Sequence, residues 1–332
     1  MLEIKDLKIS FKVREGWLNA VNGLNLSLKR GQSLGLIGES GCGKSVAMQT
    51  LLRLEAPNAK VSGEIILCLA SGDVDLLALK SSGDEIRKIR WGAISMIFQE
   101  PMKAFSPVHR IGDQIMEALL LHRVESKAEA KEITIELLRK VGISNPEQRF
   151  SEYPHQLSGG MRQRAMIAMA LSCTPTILIA DEPTTALDVT VQAQVLALIH
   201  SLQQEFGISM IFITHDLGVI AEVSDHVAVM YLGRLVEQCD VDTLFYSPMH
   251  PYTRALLQSI PEVSKPPLTE LDAIEGSVPV PLNIGDGCGF YDRCTSAIKD
   301  LCDAKTPDLA EIKPGHMVSC FLYSGDDMEV DA

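Results

Sequence analysis

"GESGCGKS", Gly38 to Ser45, decides the fold. It follows a short apolar run, "SLGLI", and precedes "VAMQTLLRL", which reads as a helix. A phosphate-binding loop needs that strand–loop–helix setting. The cradle runs through Gly38, Glu39, Ser40, Gly41, Cys42, Gly43, Lys44, Ser45 and Val46. Its glycines let backbone N–H groups turn inward around phosphate oxygens. Lys44 supplies a point charge to the β- and γ-phosphates, and the Ser45 hydroxyl suits Mg²⁺. ATP with Mg²⁺ is therefore the expected ligand.

Three further stretches fit the same chemistry. "TILIADEP", Thr176 to Pro183, brings Asp181 and Glu182 to the end of an apolar strand. Asp181 can hold Mg²⁺, and Glu182 can polarise the attacking water. "MIFQEP" sets Gln99 after another strand, within reach of both metal and water. "FITHD" sets His215 where a neutral imidazole can bond the γ-phosphate and orient Glu182. Singly, these residues read as a strand-end acid pair, a surface amide and a structural histidine. Beside an intact P-loop they form one set.

"HQLSGGMRQRAMIAMAL", His155 to Leu171, presents a second anion cradle. Ser158, Gly159 and Gly160 stand at the mouth of an apolar helix, where free N–H groups and the positive helix end point outward. In this order the motifs resemble those of the ATP-binding-cassette (ABC) ATPases, and "LSGGM" resembles their signature. The resemblance covers about residues 1–258. It implies an α/β P-loop NTPase core of RecA-like type, with an antiparallel β subdomain and a helical signature subdomain over about 104–172. It also implies that two cassettes sandwich each nucleotide. Ser158, Gly159 and Gly160 would then contact the γ-phosphate bound by the neighbour. Asp188, in Ala186-Leu187-Asp188, would signal across the joint. Phe11 and Trp17 are both candidates to stack on adenine.

Composition shifts after about Ser259, and a C-terminal extension is expected over 259–332, small, irregular and cysteine-rich. "SPMHPYTRALLQSIP", Ser247 to Pro261, is similar to the start of the tail in the peptide and nickel importer subgroup, in its D-type ATPase. That resemblance implies a second ATPase subunit in a heterodimer, two transmembrane permease subunits and an external solute-binding protein. It leaves dipeptides, oligopeptides, nickel and oligosaccharides open as solutes. Cys288, Cys294, Cys302 and Cys320 lack the short C-x2-C knuckles of zinc ribbons and bacterial ferredoxins. Spacing alone says that four thiolates can converge on one metal centre. The resemblance points to a [4Fe–4S] cluster, with zinc and an incidental thiol tail as alternatives.

The bulk properties agree. The chain has 332 residues and a net charge of −13, which disfavours a general nucleic-acid binder. The N-terminus lacks the apolar core of a signal peptide, and no apolar run nears the roughly 18 residues of a membrane span. The expected location is the cytoplasmic face of a membrane, reached through partners. A soluble ABC ATPase of DNA repair or translation is the rival reading, though such chains usually carry coiled coils, zinc insertions or two cassettes. A regulatory module without turnover is the other, and Glu182 with His215 argues against it. Strands are expected across the N-terminus with turns at Asn22-Gly23 and Lys29-Arg30-Gly31. Helix is expected from Asp113 to Val141, "ESKAEAKEITIELLRK" as a solvated face, and a hairpin turn at Leu232-Gly233. Met161, Met166 and Met169 read as core filler. The acidic end, "SGDDMEVDA", reads as disordered.

Overall fold

The computed structural model describes residues 1–185, 187–259, 274–283 and 285–323. Along the chain, β1 (Leu2–Val13) and β2 (Gly16–Leu28) form a long hairpin, followed by β3 (Ser33–Ile37) and α1 (Lys44–Thr50). β4 (Ala59–Leu69), β5 (Gly72–Asp75), α2 (Asp84–Ile89) and β6 (Ile94–Ile97) come next. A helical stretch holds α3 (Pro101–Ala104), α4 (Ile111–His122), α5 (Lys127–Lys140), α6 (Pro146–Phe150) and α7 (Gly159–Leu171). The core then resumes with β7 (Ile177–Asp181), α8 (Val189–Phe206), β8 (Ser209–Ile213), α9 (Leu217–Val223), β9 (His226–Tyr231) and β10 (Arg234–Asp240). α10 (Val241–Tyr246), α11 (Pro251–Gln258), β11 (Ala310–Lys313) and β12 (His316–Val318) complete it.

The short apolar strands β3, β7 and β8 are buried at every residue. Such strands need cover on both faces, so they sit inside a parallel sheet. The sheet order is β11-β12-β10-β9-β3-β8-β7-β6, with β9, β3, β8, β7 and β6 mutually parallel. Alternate side chains then face two cores. Leu178, Ala180, Met210 and Phe212 pack toward the helices. Ile177, Ile179, Ile211 and Ile213 pack toward a second, antiparallel sheet of order β2-β1-β4-β5. All the parallel strands end at one edge, where ligands bind in such sheets.

Several expectations change on contact with the structure. No turn forms at Asn22-Gly23; β2 runs straight through it. Gly23 (φ +84°) and Asp6 (φ 45°) form an irregularity in both strands, and the ladder shifts register beside them. Pairing resumes because Leu7, Ile9, Val21, Leu24 and Leu26 are all buried on either side. The turn at Leu232-Gly233 does form, with φ positive at both residues. The helical span splits in two, because the Ser126 side chain accepts the Glu129 N–H and starts α5 afresh. Met166 and Met169 are buried and Met161 partly so.

The described part of the extension is more ordered than expected. β12 pairs with β10 and β11 with β12, so the tail lengthens the main sheet. A buried brace secures it. The Glu237 carboxylate accepts from the backbone N–H groups of Met249 (2.7 Å) and His250 (2.9 Å) and lies 2.7 Å from His316 Nε2. The proline-rich 260–270, the acidic 324–332 and Ala186 lie outside the described residues.

Candidate nucleotide site

The P-loop closes over the end of β3 because its glycines permit contacts that a side chain forbids. A Cβ at Gly38 (φ +147°) would meet the Met230 carbonyl at 2.2 Å, and one at Gly43 (φ +97°) the Ala20 carbonyl at 2.1 Å. Gly41 (φ +83°) faces open space at the exposed tip, next to Ser40. Lys44 is buried and donates to the carbonyls of Gly38 (2.6 Å) and Glu39 (3.0 Å). Its Nζ also lies 3.4 Å from Cys42 Sγ, whose thiol pKa is raised by burial.

The predicted metal residues meet. Ser45 Oγ donates to Asp181 Oδ1 at 2.8 Å. Ser45, Gln99 and Asp181 line one cleft of about 350 Å³ with Gln49, Phe98 and Glu100. A hydroxyl, a carboxylate and an amide oxygen are the hard donors Mg²⁺ takes, so the set fits that ion. Burial raises the Asp181 pKa and the Glu182 charge adds to it, against Ser45 and Lys44, which lower it.

Glu182 follows Asp181 in a left-handed backbone conformation (φ 45°), which a non-glycine residue adopts at a cost of roughly 1–3 kcal/mol. Three side chains hold it there. Gln99 Nε2 donates to Oε2 at 2.6 Å, Thr185 Oγ1 to Oε2 at 2.8 Å, and His215 Nδ1 stands 3.2 Å from Oε1. Partial burial would raise its pKa, but these bonds outweigh burial and leave it below the ordinary value. His215 is itself exposed. Thus Gln99, Glu182 and His215, separate in sequence, form one cluster beside Ser45 and Asp181. It can hold a water for attack on a γ-phosphate.

The signature residues stand apart on the helical subdomain. Ser158 caps α7 by accepting the Met161 N–H at 3.3 Å, and both Ser158 and Gly159 are exposed. A Cβ on Gly159 would meet nothing within 4 Å. Gln163 Nε2 donates to the Pro183 carbonyl, joining this helix to the loop after Glu182. Asp188 caps α8 through Val191 N–H at 2.9 Å. Of the adenine candidates, Phe11 packs against the core beneath the antiparallel sheet, while Trp17 is 40 % exposed.

The four late cysteines line one small pocket with His250, Pro251, Phe290 and Tyr291 among others. Among the described residues, no three of their sulfurs lie within 4.8 Å of one another. Thiolates on a single tetrahedral zinc stand about 3.8 Å apart, so this set is more open than zinc requires. Burial raises the thiol pKa of Cys288 and Cys294, and pushes that of Cys320 to about 11. Glu237, Cys239 and His316 also lie close together. Glu237 and His316 belong to the brace described above, and burial pushes the thiol pKa of Cys239 beside them to about 12, so it stays protonated.

Sequence reasoning missed Thr185, whose hydroxyl donates to Glu182, and a longer-range contact as well. The Glu39 carboxylate is gripped at both oxygens by Arg293, at 2.7 and 3.1 Å. Only the acidic residue inside an anion cradle hinted that a counter-charge must exist.

The family described as "ABC transporter" matches residues 21–185, and "Oligopeptide/dipeptide transporter, C-terminal region" matches 236–302. The chain is 50 % identical over 323 residues to the probable peptide ABC transporter ATP-binding protein y4tR of Sinorhizobium fredii, covering 97 % of this chain and 94 % of that one. It is 47 % identical to the oligopeptide transport ATP-binding protein AppD of Bacillus subtilis, covering 99 % and 98 %. It is 44 % identical to OppD of Escherichia coli, covering 97 % and 93 %. Among solved structures, the cassette MJ0796 in a dimeric post-hydrolysis state with ADP and Pi aligns at a TM-score of 0.63 and 27 % identity, over 73 % of this chain and 99 % of that one.

Proposed function

The chain belongs to the ABC transporter ATP-binding proteins of the oligopeptide and dipeptide kind, and from that premise we propose that it hydrolyses ATP to power peptide uptake through partner permeases. The observation that carries the proposal is the meeting of Ser45 with Asp181, and of Gln99, Thr185 and His215 with Glu182, at one edge of the sheet. In this reading Lys44 and the loop amides hold the triphosphate. Ser45, Asp181 and Gln99 hold Mg²⁺, which would neutralise charge on the β- and γ-phosphates. Glu182 takes the proton of the attacking water while His215 and Gln99 fix its orientation. Trp17, the more exposed of the two aromatics, stacks on adenine.

A second cassette completes the site. Ser158 and Gly159 are exposed at the start of α7 and, with Gly160, would reach a γ-phosphate on a partner subunit, while Asp188, which caps α8, would signal across that joint. ATP then favours the closed pair, and hydrolysis removes the preference. The partner is a related ATPase in a heterodimer, with two permeases and an external solute-binding protein. No helix among the described residues is long and apolar enough to cross a membrane, in keeping with a peripheral subunit at the cytoplasmic face.

Cys288, Cys294, Cys302 and Cys320 hold a [4Fe–4S] cluster in this reading; their shared pocket supports it. The cluster would supply a cross-link and a redox-active centre. Anaerobically purified protein should then be brown and contain iron at about four per chain; colourless, iron-free protein would remove the cluster.

Reconstitution tests the transport reading. With its permeases and binding protein in vesicles, the chain should hydrolyse ATP faster when peptide is present, and peptide should accumulate. Partition to the soluble fraction regardless of the permeases, with no response to peptide, would sink it.

A further inference from the structure

Glu39 puts a negative charge inside a cradle built for a multiply negative ligand. Left unpaired, that carboxylate would repel the triphosphate it helps to surround. The residue that answers it comes from the far end of the chain. Arg293 grips Glu39 at both oxygens, its side chain only 6 % exposed and that of Glu39 26 %. Such a two-point grip uses the planar fork of arginine, which lysine lacks. The guanidinium is itself held from behind. Its Nε donates to the Glu275 carbonyl at 3.0 Å, one terminal nitrogen donates to Tyr231 Oη at 3.3 Å, and it lies about 6 Å from the Tyr231 and Phe290 rings. Tyr252 Oη accepts the Glu39 backbone N–H at 2.9 Å, and Tyr252 packs on both rings.

Arg293 also stands inside the cysteine module. Tyr291 N–H donates to the Cys288 carbonyl at 2.9 Å, Cys294 N–H to the Tyr291 carbonyl at 3.1 Å, and Cys288 N–H to the Cys302 carbonyl at 2.7 Å. The turn carrying the arginine is thus bounded by two of the four cysteines that share a pocket. Upstream, the same tail runs beside β2. Asn19 N–H donates to the Pro281 carbonyl at 2.8 Å, and Asn283 N–H to the Trp17 carbonyl at 3.0 Å. The extension therefore touches the nucleotide cradle at its phosphate end and beside the exposed Trp17.

We propose that Arg293 is a positioning residue for ATP: it neutralises Glu39 in the P-loop, and the cysteine pocket holds it in place, so that ATP affinity depends on the integrity of that pocket. The proposal rests on the ATPase reading of the P-loop, not on what the cysteines bind.

Equilibrium titration of the full chain with a fluorescent ATP analogue tests it, beside steady-state kinetics of the assembled transporter. Arg293→Met should weaken binding about tenfold, with the loss falling on KM for ATP rather than kcat. Arg293→Lys should recover part of it. Adding Glu39→Gln to Arg293→Met should restore most of the affinity, because the uncompensated charge is gone; a purely structural role would not be rescued this way. Cys294→Ser should weaken ATP binding like Arg293→Met and be rescued by the same second change. If wild type binds the analogue and a cooperatively melting Arg293→Met variant binds it equally well, the counter-charge is overturned. If Arg293→Met fails and Cys294→Ser binds normally, the link to the cysteine pocket is overturned. If wild type itself does not bind the analogue, the ATPase reading falls first.

Discussion

His215 Nδ1 stands 3.2 Å from Oε1 of Glu182, while Gln99 and Thr185 both donate to Oε2. The carboxylate is therefore held at both oxygens by side chains of the protein itself. Its left-handed backbone aims it from the end of β7. A base fixed this way loses little order when it meets water. Glu182→Gln keeps the shape and removes the basicity. It should bind ATP, hydrolyse it at least about 10²-fold more slowly, and accumulate closed cassette pairs. Phosphate release and light scattering measure the two effects. Hydrolysis near the wild-type rate would assign the base elsewhere.

The same contact sets a pH dependence. Burial acts to raise the Glu182 pKa, but the bonds from Thr185, His215 and Gln99 prevail and lower it. A carboxyl held below its ordinary value stays ionised as pH falls, so the acid limb of kcat should lie below the usual glutamate range. His215→Ala deletes one of the lowering influences. The limb should then move to higher pH, with a smaller kcat throughout. A pH–rate profile of the two proteins decides this; an unmoved limb would mean that His215 does not tune the base.

Asp181 behaves in the opposite sense. Burial raises its pKa, with Glu182 adding to it. The folded chain then holds that proton more tightly than the unfolded chain does. Stability falls as pH rises from the ordinary aspartate range through the raised value, and the ionised form at neutral pH is the costly one. Mg²⁺ bound as proposed would offset this cost by pairing with the charge. Asp181→Asn should therefore melt about 1–2 °C higher than wild type without nucleotide at neutral pH, and show no added stability with Mg²⁺-ATP. A Tm below that of wild type in metal-free buffer would contradict it.

Two glycines of one loop should respond differently to the same methyl group. At Gly43 a Cβ runs into the Ala20 carbonyl at 2.1 Å, and φ is +97°. At Gly41 φ is +83° but nothing lies within 4 Å. Gly41→Ala should cost about 1–2 kcal/mol, the price of the left-handed conformation alone. Gly43→Ala should cost about 3 kcal/mol or more, because backbone must move. Urea denaturation gives both numbers, and equal losses would refute the close packing of the P-loop against β2.

What could be read beforehand follows from the range of each interaction. The P-loop, the ends of β7 and β8 and the signature helix each draw on neighbours within a few residues, so their patterns are local. The turn expected at Asn22-Gly23 does not form, for a related reason. That dipeptide favours a turn by itself, but buried side chains on both sides keep β2 paired to β1. Longer range defeats pattern altogether. Glu39 and Arg293 are separated by 254 residues, and nothing near either names the other. The strands β11 and β12 are short, and pairing against β10 supplies their order. Cysteine spacing lay between these cases, for it suggested convergence without fixing the shape of the pocket.

Gly159 lies in the first turn of α7, exposed, with open space where a side chain would go. Its neighbour Gly160 would bring a Cβ within 3.4 Å of Val191 Cγ1, so it is the more confined of the pair. Aspartate at 159 should therefore fold normally. Near a helix N-terminus its charge is even favourable, by roughly 0.3–1 kcal/mol. The isolated subunit should melt no lower than wild type and bind ATP at its own P-loop with unchanged affinity. In the assembled transporter the same carboxylate would meet the γ-phosphate held by the partner. Hydrolysis at the partner's site should fall by at least about tenfold, since repulsion replaces the N–H contacts that complete the socket. Trapping nucleotide at each site separately reads this out. If trapping is normal at the partner's site and impaired at this chain's own, the signature serves its own nucleotide and the two-subunit arrangement is wrong.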